Sequence, residues 1–413
     1  MAVPRKTLMP KSAILVKKYK RGIRVSFAAL IILLTLLFVV STPPSSSASS
    51  PISSSSPAPQ PSFKGGKMKG HSNYKMPSTD ISQKVHYPLD DGKKEKAVFV
   101  TLARNDDLWD LVLSIRHIED RFNKRYHYDW VFLNDEKFSD EFIRVTSALV
   151  SGEAKYGQIP EEHWSVPSWI NKAKFDKARH EMKEKNIIYG DSIPYRHMCR
   201  FNSGFFYRHE LLQEYDWYWR VDTDITIYCD IQYDIFRFMK ENNKKYGFVI
   251  SLTEYETTIP TLWPTTQKFI EENKQYISKN NLMDFISDNG GMTYSGCHFW
   301  SNFEVGSLNF WRSEAFTKYF DYLDQSGGFF YERWGDAPVH SLAVALFLDR
   351  SEVHFFDGIG FRHPDFTSCP VEEQIRLQNK CTCNPNNDIT WIPDYFCTRK
   401  FFEVNHLKMP VGV

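Results

Sequence analysis

The stretch AVFVTLARNDDLWDLVLSIRHI, residues 97–118, decides the class of fold. Its first part, AVFVTLA (97–103), is a short uncharged run rich in Val, Phe and Thr, which is the composition of a buried strand. Asn105 or Asp106 can then cap a helix, because Leu108, Leu111, Val112, Ile115 and Ile118 recur at helical spacing. DWVFLND, residues 129–135, reads as the next strand. A β-α-β opening belongs to the α/β class. Ligands of such open sheets bind beyond the carboxyl ends of the strands, so Arg104 and Asn105 are predicted at the edge of a site. The plain alternative for Arg104 is an ordinary solvated arginine.

A second strand-like run, WYWRVDTDITIYCD (217–230), meets two carboxylates, Asp222 and Asp224. Residues two apart on a pleated strand share a face, so the two should project together, and paired like charges need a counter-charge. WYWRV should therefore end where the carboxylates begin, again at a carboxyl edge. A single Asp-x-Asp arises by chance in a chain of this size. An aromatic strand ending on two like charges points more specifically to a cation between them. Hard oxygen ligands suit Mg²⁺ or Mn²⁺, and such an ion commonly brings a diphosphate with it. The competing reading is that one Asp caps a turn and the other meets a nearby Arg.

The ends of the chain narrow the class. Among 413 residues, 51 basic side chains balance 50 acidic ones, so no global field favours nucleic acid. Residues 1–24 carry eight Lys and Arg and no acidic residue, and VSFAALIILLTLLFVVS (25–41) follows without a charge. A helix of that length spans roughly 25 Å, suited to the thinner early secretory bilayers. The basic flank should remain cytosolic and the rest of the chain luminal. An uncleaved anchor is the reading, because no small-x-small site closes the apolar run; a cleaved signal peptide is the alternative. The Ser/Pro-rich run 41–62 reads as an extended stem, leaving a tail at 1–24, an anchor at 25–41, a stem at 42–85 and a folded domain at 86–413. All seven cysteines lie beyond the anchor, where disulfides persist. Seven is odd, so at least one is free or pairs between chains. A zinc site from Cys369, Cys381, Cys383 and Cys397 lacks the usual pair of C-x-x-C hooks.

A luminal diphosphate implies a nucleotide sugar, and three further stretches fit a sugar site. In HFWSNFEVGSLNFW (298–311) one carboxylate, Glu304, stands among Phe299, Trp300, Phe303, Phe310 and Trp311, whose rings could cover sugar C–H surfaces while Glu304 faces an oxocarbenium-like centre. Otherwise the rings are core and Glu304 caps a turn. GGFFYERWGDAPVH (327–340) concentrates Glu332, Arg333, Trp334 and Asp336, where Asp336 is either a site residue or the N-cap of the helix PVHSLAVALFL. VHFFDGIGFRHPDF (353–366) predicts a strand and then a loop holding Arg362, His363 and Pro364; imidazole is a common further manganese ligand.

Together, YGQIPEEHW, SIPYRHMCRFNSGFF, YWRVDTDI, CHFWSNFEV, FWRSEAF, GGFFYERWGDAPVHS and VHFFDGIGFRHPDF resemble the fungal Golgi α-1,2-mannosyltransferases, glycosyltransferase family 15, from about residue 95 to the C terminus. The resemblance implies a GT-A-like fold with a mixed central sheet flanked by helices behind one membrane anchor, GDP-mannose as donor, Mn²⁺, mannosylated glycoprotein acceptors, and retention at the anomeric carbon. It puts the metal on Asp222, Asp224 and His363, the nucleotide on Tyr195, and the sugar-facing carboxylate on Glu304 with Asp336 as a second acid; Asp222, and Arg104 from its place at the end of the first strand, are the further donor-binding candidates. Members usually carry Glu-Pro-Asp where this chain has Asp-Thr-Asp, one methylene shorter in the first arm. Transfer of mannose phosphate, or an inactive lectin-like relative, are the alternatives the resemblance leaves open.

Overall fold

Val98 and Val100 point to one side of a strand and Ala97 and Phe99 to the other, and both sides are buried in separate hydrophobic clusters. That two-sided burial is why the run is uniformly apolar. The structure, a computed structural model, describes residues 85–411 and 413, which lie in the unit Ser72–Val413. The expected tail 1–24, anchor 25–41 and stem 42–85 fall outside the described residues, apart from Val85 at the end of the stem, and no described helix is long and apolar enough to cross a membrane.

In chain order the strands are β1 (Ala97–Leu102), β2 (Asp129–Asn134), β3 (Ala154–Gln158), β4 (Trp217–Val221), β5 (Thr226–Ile227), β6 (Tyr246–Phe248), β7 (Ser251–Thr253), β8 (Cys297–Phe299), β9 (Phe303–Ser307), β10 (Val353–Phe355), β11 (Phe361–His363) and β12 (Phe366–Ser368). The main sheet has the order β10-β6-β9-β4-β1-β2-β3. β1, β2, β3 and β4 run parallel, β9 is antiparallel to both β4 and β6, and β10 is parallel to β6, so the sheet is mixed. The expected β-α-β opening is present as β1, the helix Leu108–Ile118 and β2. A smaller sheet of order β12-β11-β5 lies beyond the end of β4.

Several local expectations are corrected. Neither Asn105 nor Asp106 caps the first helix. A 3-10 turn, Asn105–Asp107, precedes it, and Asp107 reaches back to accept the Arg104 N–H at 3.0 Å. Asn105 instead ties the end of β1 to the loop after β2, accepting from Ser139 N at 2.8 Å and donating to Lys137 O at 3.0 Å. Asp222 and Asp224 do not share a strand face: β4 stops at Val221, and Asp224 has φ +62°, which turns the chain into β5 of the other sheet. A short acidic side chain tolerates that left-handed conformation better than most. Arg362 and His363 belong to β11, not to a loop, and pair with β12 around Pro364 and Asp365.

The seven cysteines form Cys229–Cys381, Cys297–Cys397 and Cys369–Cys383, with Cys199 free and buried. All four residues of the zinc alternative are thus consumed in disulfides.

Candidate active site

Alternation along β4 and β9 builds the floor of the site. Trp217, Trp219 and Val221, with Phe303 and Val305, fill one core, so Tyr218, Arg220, Glu304 and Gly306 take the opposite face. Arg220 stands directly across from Glu304, and Tyr218 across from Gly306. Gly306 also pairs with Tyr246 on the other side. A Cβ at Gly306 would sit 2.8 Å from Tyr218 Cε1, so only glycine lets the phenol ring lie across β9. From these two flanking strands, Tyr218 donates its O–H to Glu304 Oε1 and Tyr246 donates to Oε2 at 2.9 Å. Trp311 Nε1 donates to the Tyr218 oxygen at 2.9 Å and fixes that phenol in turn.

The helix Asp336–Phe347 crosses above this floor and presents Asp336 and His340, four residues apart on one face. His340 Nδ1 lies 2.9 Å from Glu304 Oε2, while Arg220 Nη1 and Ser301 Oγ donate to Asp336 Oδ2, the hydroxyl at 2.8 Å. Arg220 turns the rest of its fork on Asp222, with Nε to Oδ1 at 2.8 Å and Nη2 to Oδ2 at 3.0 Å. For Asp222 the structure thus supplies the nearby arginine of the competing reading, Arg220, two residues earlier. Asp336 is not the N-cap; Gly335 is, and the Asp336 carboxylate is turned into the site. Burial would raise the Asp336 pKa, but the Arg220 guanidinium and His340 outweigh it and hold it below the usual carboxylate range.

Most of the aromatics around Glu304 do not face a sugar. Phe299, Phe303, Phe310 and Trp311 are core, and Glu304 is a buried mid-strand residue at 1 % exposure, not a turn cap. Trp300 alone among them is half-buried, its ring meeting His363 at 5.1 Å edge-on. In GGFFYERWGDAPVH, Glu332 accepts from Thr261 and from Trp334, and Arg333 donates to the Tyr195 hydroxyl at 3.0 Å. Tyr195 opens the helix Ile193–Gly204 and stacks on Tyr189 with ring centroids 4.4 Å apart. Arg104 is exposed and engaged by Asp107 at 3.1 Å.

On the far side of Asp222, Asp224 is exposed and His363 is half-buried, with a buried Nδ1 that has no hydrogen-bond partner. Burial lowers the His363 pKa, opposed by the charges of both Asp222 and Asp224, which act on its ring. Among the described residues no group of three His, Cys, Asp or Glu forms a ready metal cluster. The donor chemistry nevertheless fits a hard divalent ion: an unclaimed imidazole nitrogen, an exposed carboxylate in Asp224, and the lone pairs of Asp222 left over from Arg220, since a carboxylate has about four acceptor positions.

A pocket opens where β1 and β2 end, lined by Leu102, Leu133, Phe206, Arg220, Glu304 and His340. Arg220, His340, Tyr218 and Tyr246 were not among the residues the sequence singled out. A lone histidine inside the apolar run PVHSLAVALFL and an arginine inside an aromatic strand were the available signals.

Residues 63–406 match the family model described as glycolipid 2-alpha-mannosyltransferase. The chain is 64% identical over 412 residues to the probable mannosyltransferase KTR3 of Saccharomyces cerevisiae, covering 99% of each. Its structure resembles the crystal structure of core-mannan synthase A from Aspergillus fumigatus in its Mn/GDP form, with TM-score 0.71, 40% identity and coverage of 77% of this chain and 86% of the other. It also resembles the mannosyltransferase Ktr4p of Saccharomyces cerevisiae in complex with GDP, with TM-score 0.74, 37% identity and coverage of 80% and 87%. With a family match across most of its length and the mixed sheet shared with these enzymes, the chain belongs to the glycolipid 2-alpha-mannosyltransferases, glycosyltransferase family 15.

Proposed function

We propose that the protein transfers mannose from GDP-mannose to a mannoside hydroxyl in an α-1,2 linkage with retention, on O-linked or N-linked glycans. The observation that carries this reading of the site is Glu304, an acid held by Tyr218, Tyr246 and His340 in the wall of the pocket beyond β1 and β2. An anion fixed in that position stabilises positive charge developing at the anomeric carbon, and it needs no reorganisation to do so. Asp336 is oriented by Arg220 and Ser301 beside it, a second acid that can receive a hydrogen bond from the acceptor sugar. Tyr195, packed between Tyr189 and Arg333, offers a ring and a hydroxyl for the nucleotide, and Arg104 offers an exposed guanidinium at the end of β1.

A divalent ion, Mn²⁺ by similarity to the Mn/GDP form of core-mannan synthase A, would be held by Asp224 and His363 with Asp222, and would neutralise the departing diphosphate. In this reading residues 25–41 anchor the protein in the Golgi membrane as a single-pass type II protein, with the folded part luminal. The test is to incubate the full-length detergent-solubilised chain with GDP-mannose, Mn²⁺ and methyl α-mannoside. An α-1,2-linked mannobioside with release of GDP is expected. A phosphodiester product with release of GMP would make the protein a mannosylphosphate transferase, and binding without turnover would make it a lectin-like relative.

A further inference from the structure

His340 is a histidine whose two ring nitrogens both meet acceptors. Nδ1 is 2.9 Å from Glu304 Oε2, and Nε2 is 3.2 Å from the Ser203 carbonyl oxygen. A carbonyl oxygen can only accept, so Nε2 must carry a hydrogen. Each Glu304 oxygen takes a phenol O–H, as the oxygens of a carboxylate do; facing a carboxylate, Nδ1 carries a hydrogen as well, and an imidazole with both is a cation. The surroundings favour that charge three times over. Ser203 lies in the last turn of the helix Ile193–Gly204, where unsatisfied carbonyls and the helix dipole attract a cation. The Trp311 ring stacks on His340 with centroids 4.2 Å apart, offering a π face. The ionisable groups facing His340 are Glu304 from β9, Asp336 one turn earlier on its own helix, and Arg220 from β4, with the phenols of Tyr218 and Tyr246 bound to the same carboxylate. With His340 neutral, three carboxylates (Asp222, Asp336 and Glu304) would face one guanidinium.

We propose that His340 is a positively charged positioning residue that holds Glu304 as an oriented anion against the sugar, so that Glu304 acts by its fixed charge. This rests on the reading that Glu304 faces the anomeric centre. Burial opposes the proton on His340, but the adjacent Glu304 carboxylate outweighs it and raises the pKa above the ordinary histidine value. Raising pH through that value removes the proton from Nδ1 or Nε2, costs Glu304 its cationic partner, and lowers kcat more than it changes KM for GDP-mannose.

The test has two arms on the full-length protein. In the first, ¹⁵N-histidine spectra are recorded at pH 7.5, and the His340 signals are identified by their absence from His340→Asn. Both nitrogens should resonate as protonated, and a neutral tautomer would overturn the proposal; should His340→Asn not fold, His340→Gln supplies the same subtraction. In the second, the kcat–pH profile is measured. His340→Asn can still donate an amide hydrogen toward Glu304 but carries no charge, so kcat should fall by about 100-fold with KM for GDP-mannose nearly unchanged, and the alkaline limb should disappear. The doubly substituted His340→Asn, Glu304→Gln protein should be no slower than Glu304→Gln alone. Retention of kcat within about threefold, with the alkaline limb intact, would sink the idea. A phosphodiester product from the unaltered protein would instead defeat the transferase reading and leave the charge state of His340 as measured.

Discussion

Glu304 and Arg220 stand side by side on neighbouring strands and are the two residues on which most of the site's polar contacts converge. Replacing Glu304 with Gln keeps the shape but exchanges one accepting oxygen for an NH2, a donor set against groups that themselves donate. Turnover should fall by at least about 100-fold, and stability by about 1–3 kcal/mol, measured as kcat and as the urea midpoint. Arg220→Gln is expected to be worse for stability than for donor affinity. It strips the buried Asp336 of its guanidinium and frees Asp222, and breaking a buried pair costs about 3–5 kcal/mol. Arg220→Lys should recover only part of this in the same urea titration, because one ammonium cannot fork to both carboxylates. For the proposed metal site, His363→Ala removes the unclaimed imidazole nitrogen. Calorimetric Mn²⁺ titration in the presence of GDP should show affinity lowered by about 10-fold or more; unchanged affinity would remove His363 from the ligand set.

At the scale of elements, β9 is the strand that organises the site, pairing with β4 and β6 at once. Gly306→Ala tests that arrangement. Its methyl would meet the Tyr218 ring at 2.8 Å, so the phenol must leave Glu304 or β9 must shift. We expect a loss of about 1–3 kcal/mol with a fall in kcat larger than any change in KM, seen by thermal denaturation and steady-state kinetics on one preparation. Cys297–Cys397 staples β8, just before the turn into β9, to the start of the helix Thr398–Val404 across 100 residues. Replacing both cysteines with serine should cost about 2–5 kcal/mol, visible as a lower melting temperature under oxidising conditions. If the melting temperature were unchanged, the staple would be redundant with the phenylalanine packing of Phe248, Phe299 and Phe401.

For the molecule as a whole, the histidines set the pH range of stability from opposite sides. Burial pushes His197 down to about 4 and also lowers His354, so both stay neutral in the fold but take up a proton on unfolding once the pH drops below about 6.5. Their contribution is present above pH 6.5 and is lost as pH falls through the folded value. His340, with a raised folded pKa, contributes in the other direction: fully below 6.5, and progressively less as pH rises through its folded value. The melting temperature should therefore decline on both sides of neutrality, and His340→Asn should flatten the alkaline side alone. Periodicity and composition by themselves determined the α/β class, the β1–helix–β2 opening, the end of β4 just before Asp222 and the gathering of acidic residues into a few short segments, because these follow from local alternation and spacing. Three things were decided only by tertiary structure. The counter-charge for Asp222 came from Arg220 at the end of β4, since pairing with β9 turned that arginine into the site. The aromatics around Glu304 went to the core because both faces of the sheet are covered. His340 became a partner of Glu304 because a helix more than thirty residues further along the chain crosses above β9. A contact made across that distance leaves no periodic trace in the sequence, where it reads only as one histidine in an apolar helix.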